Sequence, residues 1–194
     1  MLTLCVDTSY KYLCVCLIKD DTLVCAKEYE CFKHQSEDLF VVLDELAQQH
    51  PEIREIDSVC FTIGPGSYTG LRIAMTLAKV IASIRSLDVY SVSTLRLYAD
   101  NQKNTMVLMN ARGNRAYIGI YDQETILLND CVKELKDIST EGYNVVGDGS
   151  LLGLEDKMPS VAEAFLHTKA YWKKEEDVDH LVPMYFKESE NYLA

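Results

Sequence analysis

Lysine and arginine are scarce in this sequence relative to acidic residues. The chain of 194 residues has 19 Lys and Arg against 30 Asp and Glu, which gives a formal net charge of −11. Proteins that hold nucleic acid by themselves cluster basic residues on one surface, and no stretch of this chain does so. We therefore do not expect the chain to bind nucleic acid alone, although an acidic chain can belong to a larger complex that binds RNA elsewhere.

Long apolar runs and closely spaced histidine pairs are also missing. No apolar run approaches the roughly 18 residues of a membrane-spanning helix, and the first residues lack the pattern of a signal peptide. The 4 histidines include no pair four residues apart, so no metal site or other cofactor is predicted and a metallopeptidase has almost no support. These absences favour a cytoplasmic protein that does not associate with membranes.

Cysteine, by contrast, is plentiful, with 7 residues. Most of them lie in strand-like runs, where a free cysteine behaves as a small buried hydrophobe. Cys14-Val15-Cys16 does not have a typical metal-binding spacing, and on a strand the two thiols would simply pack side by side. This use of cysteine is typical of a reducing compartment.

The most informative stretch is a turn between an apolar strand pattern at 59–63 and a long apolar helix pattern. Its glycines and proline predict a tight turn in which backbone segments approach closely, and either of its hydroxyl residues can cap the helix. The turn is either purely structural, which we favour, or an anion site formed by free N–H groups at the helix start. It consists of Gly64, Pro65, Gly66, Ser67, Tyr68, Thr69, Gly70, Leu71 and Arg72.

The helix that follows the turn has an unusually narrow polar side. Its polar residues Arg72, Thr76, Lys79 and Ser83 fall on one stripe, and nearly every other position up to Ile84 is apolar. A surface helix normally shows the reverse pattern, with a single apolar stripe. This helix must therefore be covered on more than one side, either within its own domain or by a partner, and both alternatives remain open.

The remaining pattern predicts two α/β halves. Ser36 is the expected cap of the first helix, and the run Lys173–Asp179 is expected to be solvated. A polar run at 101–104 suggests a boundary between a first lobe, 1–100, and a second, shorter lobe, 101–194. The predicted strands are 2–6, 12–19, 22–29, 58–63, 87–92, 106–109, 116–121, 125–132 and 143–146, and the predicted helices are 36–49, 69–85, 95–101 and 160–170, with a turn at 110–114.

Asp7-Thr8-Ser9 closes the first strand with a carboxylate followed by two hydroxyls. Such a group can bind a metal or a phosphate, and it can equally cap a turn through Asx hydrogen bonding. From the residues alone, the turn is the favoured interpretation.

The turn sequence Gly64–Ile73 closely resembles the signature of the TsaB family, also called YeaZ. Weaker matches in register extend the resemblance over nearly the whole chain. They are Val6-Asp7-Thr8-Ser9, His34-Gln35-Ser36-Glu37, Val92-Ser93-Thr94-Leu95, Asn110-Ala111-Arg112, Tyr117 and Pro183-Met184-Tyr185. Asn110 stands where the family usually has an acid.

This resemblance implies an α/β fold of the actin-like, sugar-kinase-like (ASKHA, ribonuclease H-like) type, with two lobes built on mixed sheets. It also implies a role in making threonylcarbamoyladenosine at position 37 of tRNAs that read codons starting with A. In that family the chain is a non-catalytic partner of the paralogue TsaD, and an ATPase, TsaE, binds the pair. Isolated members pair with themselves through the same surface, and contact with tRNA is made only through the complex.

The resemblance further places the partner interface on the two first-lobe helices, about 36–49 and 69–85. The corresponding apolar residues are Leu39, Val42, Leu43, Leu46, Leu71, Met75, Ala78, Ile81 and Ala82. No catalytic residue is predicted, and Asp7, Thr8 and Ser9 would form at most a vestigial phosphate site.

An alternative function, compatible with the same fold, is that of an enzyme. A small ATP-dependent phosphotransferase would use Asp7 and the turn at 64–70 on ATP. It would need a second phosphate loop in the second half, for which Gly147-Asp148-Gly149 is the candidate.

Overall fold

The computed structural model describes residues 1–31 and 34–186. Its strands and helices in chain order are β1 (Leu2–Asp7), β2 (Tyr12–Lys19), β3 (Thr22–Glu30), α1 (Gln35–Gln49), β4 (Ser58–Gly64), α2 (Tyr68–Arg85), β5 (Asp88–Ser93), α3 (Thr94–Tyr98), β6 (Thr105–Arg112), β7 (Arg115–Asp122), β8 (Thr125–Glu134), β9 (Asn144–Gly147), α4 (Val161–His167) and β10 (Lys173–Lys174). Short 3-10 segments lie at Pro51–Glu55, Leu135–Asp137, Gly149–Leu152 and Lys169–Tyr171.

The first sheet has six strands in the order β10-β5-β4-β1-β2-β3. Strands β1 to β3 form an antiparallel meander, and Asp20 lies in the hairpin turn between β2 and β3 with a positive φ of 52°. Strand β4 then pairs in parallel with β1, and β5 pairs in parallel with β4. A helix precedes each of these strands, because parallel pairing requires a crossover connection.

Both faces of the first sheet are covered, which explains why its central strands contain so few exposed side chains. Leu4 and Phe61 belong to the core under α1 and α2, whereas Cys5 and Cys60 belong to the core on the opposite face. Successive strand residues point to opposite faces, so neighbouring positions serve two separate cores.

The second sheet has four strands in the order β8-β7-β6-β9, with β9 parallel to β6. One of its faces carries Val107 and Tyr121 into the core that contains Cys5, and the other carries Leu108 and Ile118 into a separate cluster. The two sheets therefore share one of the three apolar cores.

The second half of the chain also returns to the first sheet. Phe165 of α4 lies in the same core as Cys5, and β10 pairs antiparallel with β5. Residues 101–194, predicted as the second lobe, thus supply both the cover of one face and an edge strand of the first sheet.

The predicted order of strands and helices is confirmed, two local predictions are wrong, and a third holds for most of its residues. Helix α1 begins at Gln35 with His34 as its N-cap and no side-chain cap bond, so Ser36 lies inside the helix. Strand β6 continues through Arg112, which confines the following turn to Gly113 and Asn114. The charged run at 173–179 is mostly exposed, as predicted, although it starts as strand β10. Only the side chain of Glu175 is buried, against β5, where it accepts a hydrogen bond from Ser91.

The cysteines behave as the sequence predicts. Cys5, Cys14, Cys16, Cys31 and Cys60 are buried, and none of the seven cysteines is in a disulfide. No helix in the described part of the chain is long and apolar enough to cross a bilayer.

Candidate functional site

The turn between β4 and α2 is built on close backbone contact with the segment that follows β1. The N–H of Ser67 donates to the carbonyl of Ser9 at 2.6 Å, and the Ser67 hydroxyl caps α2 by accepting from the N–H of Gly70 at 3.3 Å. A Cβ at Gly66 would lie 2.3 Å from the carbonyl oxygen of Ser9, and one at Gly70 would lie 1.9 Å from that of Thr8. These glycines are therefore required by packing, which supports the structural interpretation of the turn.

Asp7 lies directly beneath this turn and is fully buried. Its carboxylate accepts hydrogen bonds from the Thr62 hydroxyl at 2.6 Å, the Tyr98 hydroxyl at 2.9 Å and the Ser9 N–H at 2.8 Å. The Ser9 bond is the predicted Asx turn. Burial, together with the charge of Asp7 and the hydrogen bond to it, raises the pKa of Tyr98 well above its ordinary value, so this hydroxyl remains a donor.

The vestigial phosphate site expected at Asp7, Thr8 and Ser9 stays a prediction, and the geometry shows how these residues are engaged inside the chain. All three residues are buried, and the Thr8 hydroxyl donates to the Gly70 carbonyl at 2.7 Å. Both oxygens of the Asp7 carboxylate already accept internal hydrogen bonds, and the turn packs on Thr8 and Ser9. The sequence reveals the residue types but not these contacts.

The candidate second phosphate loop is likewise engaged in hydrogen bonds within the chain. Asp148 is buried and accepts from Lys11 Nζ at 2.6 Å, from the Asn110 N–H at 2.8 Å and from the Tyr10 hydroxyl. Burial and the contact with Asp148 raise the pKa of Tyr10, which holds its hydroxyl in the donor form. Asp148 therefore links the second sheet to the turn after β1, and its oxygens are already engaged.

Within residues 1–31 and 34–186, no group of three His, Cys, Asp or Glu side chains has the arrangement needed to hold a metal ion.

The predicted partner-interface residues fall mainly inside the chain's own core. The side chains of α1 and α2 that face β1 and β4 are buried, and only Leu43 and Ile81 of the predicted set are partly exposed. These buried side chains pack mainly on their own sheet, and their part in a partner interface stays a prediction. The buried members are Leu39, Val42, Leu46, Leu71, Met75, Ala78 and Ala82.

The same two helices nevertheless leave other apolar side chains open. Phe40 and Val41 of α1 are 64% and 57% exposed, and Val80 and Ile84 of α2 are 49% and 76% exposed. We call these four residues the outer face. Beside them, between the two helices, lies a groove of about 470 Å³ whose lining includes Phe40, Ile73, Leu77 and Val80. Phe40 and Val80 of the outer face line this groove, so two of its exposed apolar residues border a concave apolar surface.

The polar stripe of α2 faces the C-terminal segment of the chain. Lys79 donates to the carbonyl of Asp179 at 2.8 Å, and Tyr185 stacks on Tyr68 with ring centroids 5.2 Å apart. The N–H of Met184 donates to the carbonyl of Ile63 at 2.8 Å, at the end of β4. Arg72 of the signature donates to the Tyr68 hydroxyl at 2.7 Å. The sequence analysis did not predict that the C-terminal segment covers this side of α2. The only signal for it is the apolar character of residues 182–185.

Comparison with known protein families matches residues 29–169 to the family described as "TsaD: tRNA N6-adenosine threonylcarbamoyltransferase". Among curated proteins, the chain is 29% identical to the "tRNA threonylcarbamoyladenosine biosynthesis protein TsaB" of Bacillus subtilis (strain 168), over 69% of this chain and 61% of that protein. It is 26% identical to the protein of the same name from Escherichia coli (strain K12), over 96% of this chain and 95% of that protein. The first of these matches thus spans less than two thirds of the relative's length.

Among solved structures, YeaZ from Pseudomonas aeruginosa superposes with a TM-score of 0.76 at 19% identity, over 95% of this chain and 99% of that one. A second structure, described as an uncharacterized protein with similarity to peptidase YEAZ from Pseudomonas aeruginosa, gives a TM-score of 0.81 at 18% identity, over 96% and 99% of the two chains. At this identity the likeness concerns the fold, and the predicted actin-like, ribonuclease H-like fold with mixed sheets is confirmed.

Proposed function

Since the chain belongs to the TsaB (YeaZ) group of the TsaD family, we propose that it is a non-catalytic subunit in threonylcarbamoyladenosine modification of tRNA. In this proposal it pairs with a TsaD-like catalytic chain, and the pair recruits a TsaE-like ATPase. It meets tRNA only within that complex, at position 37 of tRNAs that read codons starting with A. The unpaired cysteines favour a reducing compartment, the cytoplasm.

The observation that carries the proposal is the outer face of α1 and α2. Its four apolar side chains and the adjoining groove lie on helices whose opposite side is already packed on the first sheet. Pairing through this face would remove from water the apolar surface that the fold leaves exposed, which is favourable at roughly 25 cal/mol for each Å². In the absence of a partner chain, the same face serves a second copy of this protein.

The engaged carboxylates support a non-catalytic role. A phosphotransferase would need Asp7 and the loop around Asp148 free to bind metal and phosphate. Both carboxylates are instead buried and saturated with internal hydrogen bonds. Breaking these bonds to admit ATP would leave several buried donors unpaired, each at a cost of about 1–3 kcal/mol.

Phe40→Arg and Ile84→Arg test the proposal. Each places a charge at an exposed position of the outer face and outside the buried core, so we expect pairing with the cognate TsaD-like chain to weaken by at least about 30-fold. Co-elution in size-exclusion chromatography and a reconstituted tRNA modification assay provide the measurements. Leu127→Arg is the matched control, because Leu127 is an exposed apolar residue on β8, away from both helices.

The proposal fails if the unsubstituted chain does not co-elute with the TsaD-like chain, or if both outer-face variants pair as well as the Leu127→Arg control. Loss of pairing in all three variants would likewise argue against this face.

A further inference from the structure

The two helices that carry the outer face have opposite charges. Helix α1 contains acidic residues and no lysine or arginine, whereas α2 contains basic residues and no acid. The chain as a whole is strongly acidic, with a net charge of −11, so the charges of this face are separated by helix. The acids of α1 are Glu37, Asp38, Asp44 and Glu45, and the basic residues of α2 are Arg72, Lys79 and Arg85.

Two of the acids of α1 lie on the side that carries the outer face. Asp38 and Glu45 are engaged with side chains of β3. Glu37 and Asp44 are exposed, and their polar contacts are with exposed residues on or next to the same helix. They lie four residues before and three residues after Val41, so the three side chains share one side of α1. The apolar surface of α1 is therefore flanked by two exposed carboxylates.

Arg72 is the charge of α2 that belongs to the outer face. It is exposed, lies two steps of four residues before Val80, and is the single charged residue in the lining of the groove. Its guanidinium donates to the Tyr68 hydroxyl at 2.7 Å and lies 5.2 Å from the centroid of that ring. A phenol carries no charge to offset that of the guanidinium, so this contact orients Arg72 without neutralising it. Lys79 and Arg85 instead donate to backbone carbonyls of the chain.

We propose that two copies of this chain pair with α1 of each copy lying on α2 of the other. The arrangement rests on the proposed function, in which the outer face is a pairing surface. An isologous interface has to be self-complementary, because the same patch serves both partners. A twofold axis along the groove brings α1 over α2 of the other copy, whereas an axis across the groove brings each helix onto its own counterpart.

Charge selects between these two arrangements. Apolar residues of the outer face lie on both helices, so either arrangement covers apolar surface. Crossed pairing sets Glu37 and Asp44 beside Arg72 of the other copy. Pairing of like helices would instead oppose the acids of α1 with one another and Arg72 with its own counterpart, and like charges facing each other disfavour association.

Sedimentation equilibrium of the isolated full chain tests the arrangement. Arg72→Glu should weaken self-association by at least about ten-fold, and so should the double variant Glu37→Arg with Asp44→Arg. The double variant makes the chain less acidic, so a change in general repulsion would have the opposite effect. In a chain with all three substitutions the charges are exchanged, and association should return to within about three-fold of the unsubstituted value. Lys103→Glu, at an exposed turn residue before β6, changes the net charge as Arg72→Glu does and should have no effect.

Arg72→Met provides a second measurement that distinguishes the two arrangements. It removes an attraction in crossed pairing and should weaken association, whereas it would remove a repulsion between like helices and strengthen association. The inference is overturned if the isolated chain stays monomeric, if Arg72→Glu or Arg72→Met associates as well as the unsubstituted chain, or if the triple variant does not recover. Co-elution with the TsaD-like chain tests the proposed function separately, because none of these measurements requires that chain.

Discussion

Lys11 donates a 2.6 Å hydrogen bond to Asp148, and this ion pair connects the turn after β1 with the loop after β9. Asp148 is nearly inaccessible to solvent, whereas the Lys11 side chain remains about one-third exposed. Together with the Tyr10 hydroxyl and the Asn110 N–H, Lys11 completes a set of donors from both sheets around one carboxylate. Asp148, which in the sequence suggests a phosphate loop, thus connects the two halves of the molecule through hydrogen bonds.

Asp148→Ala should destabilise the fold by about 3 kcal/mol, because it leaves Lys11, Tyr10 and the Asn110 N–H without their acceptor. Lys11→Met should cost less, about 1 kcal/mol, since the lysine is partly solvated. Urea denaturation gives both values, and Lys136→Met, which breaks an exposed ion pair with Glu134, is the control expected to show no change. Equal stability of all three variants would contradict this role of Asp148.

The same pair should also respond to alkaline pH. Burial lowers the pKa of Lys11, but the hydrogen bond and charge of Asp148 outweigh it, so the net pKa is raised above the ordinary 10.5. A group with a raised pKa stabilises the fold while it is protonated. Its contribution is therefore present at neutral pH and lost as pH rises through the raised pKa. In Lys11→Met, the loss of stability in that alkaline range should be correspondingly smaller than in the unsubstituted chain.

Asp7→Ala should lower stability by about 3 kcal/mol or more, because three buried donors lose their acceptor. Tyr98→Phe removes one of these bonds and should cost about 1 kcal/mol. Thermal unfolding measures stability, and the tRNA modification assay, run below the melting temperature, measures function. If Asp7 has only a structural role, the tRNA modification activity of each variant should be proportional to its folded fraction. A stable, inactive Asp7→Asn protein would instead indicate a direct chemical role.

Gly70→Ala should destabilise the chain by about 3 kcal/mol, since its methyl group would meet the Thr8 carbonyl oxygen at 1.9 Å. Gly142→Ala provides the comparison. Gly142 has a φ of 82° but no neighbour within 4 Å, so it should show only the backbone cost, about 1 kcal/mol. Chemical denaturation of both variants separates steric overlap from backbone strain, and a Gly70→Ala protein as stable as Gly142→Ala would refute the close contact.

Ala78→Arg and Val80→Arg should have opposite consequences although they lie two residues apart on α2. Ala78 is buried on the first sheet, so arginine there should prevent folding. Val80 belongs to the outer face, so its variant should keep the circular dichroism spectrum and melting temperature of the unsubstituted chain while losing its partner. A folded Ala78→Arg protein would show that the packing of α2 on the sheet is wrong.

Local patterns in the sequence determine most of the secondary structure. The strand-like runs of β1 to β3 and the hydroxyl cap Ser67 mark elements that the structure contains. Apolar runs and capping residues depend on neighbours along the chain, so they can be recognised without tertiary contacts. The signature at 64–73, with its weaker companions, also suffices to identify the family.

Tertiary structure alone decides which of these residues are accessible. The sequence predicts that α2 needs cover on several sides, but only the packing of β1 and β4 separates buried Ala78 from exposed Val80. In the same way, Thr8 and Ser9 contact a turn some sixty residues later, β10 joins β5 across about eighty residues, and Arg96 meets Tyr171 only after the chain returns to the first sheet. Burial is set by contacts between segments far apart in the chain, and no local periodicity encodes which segments meet.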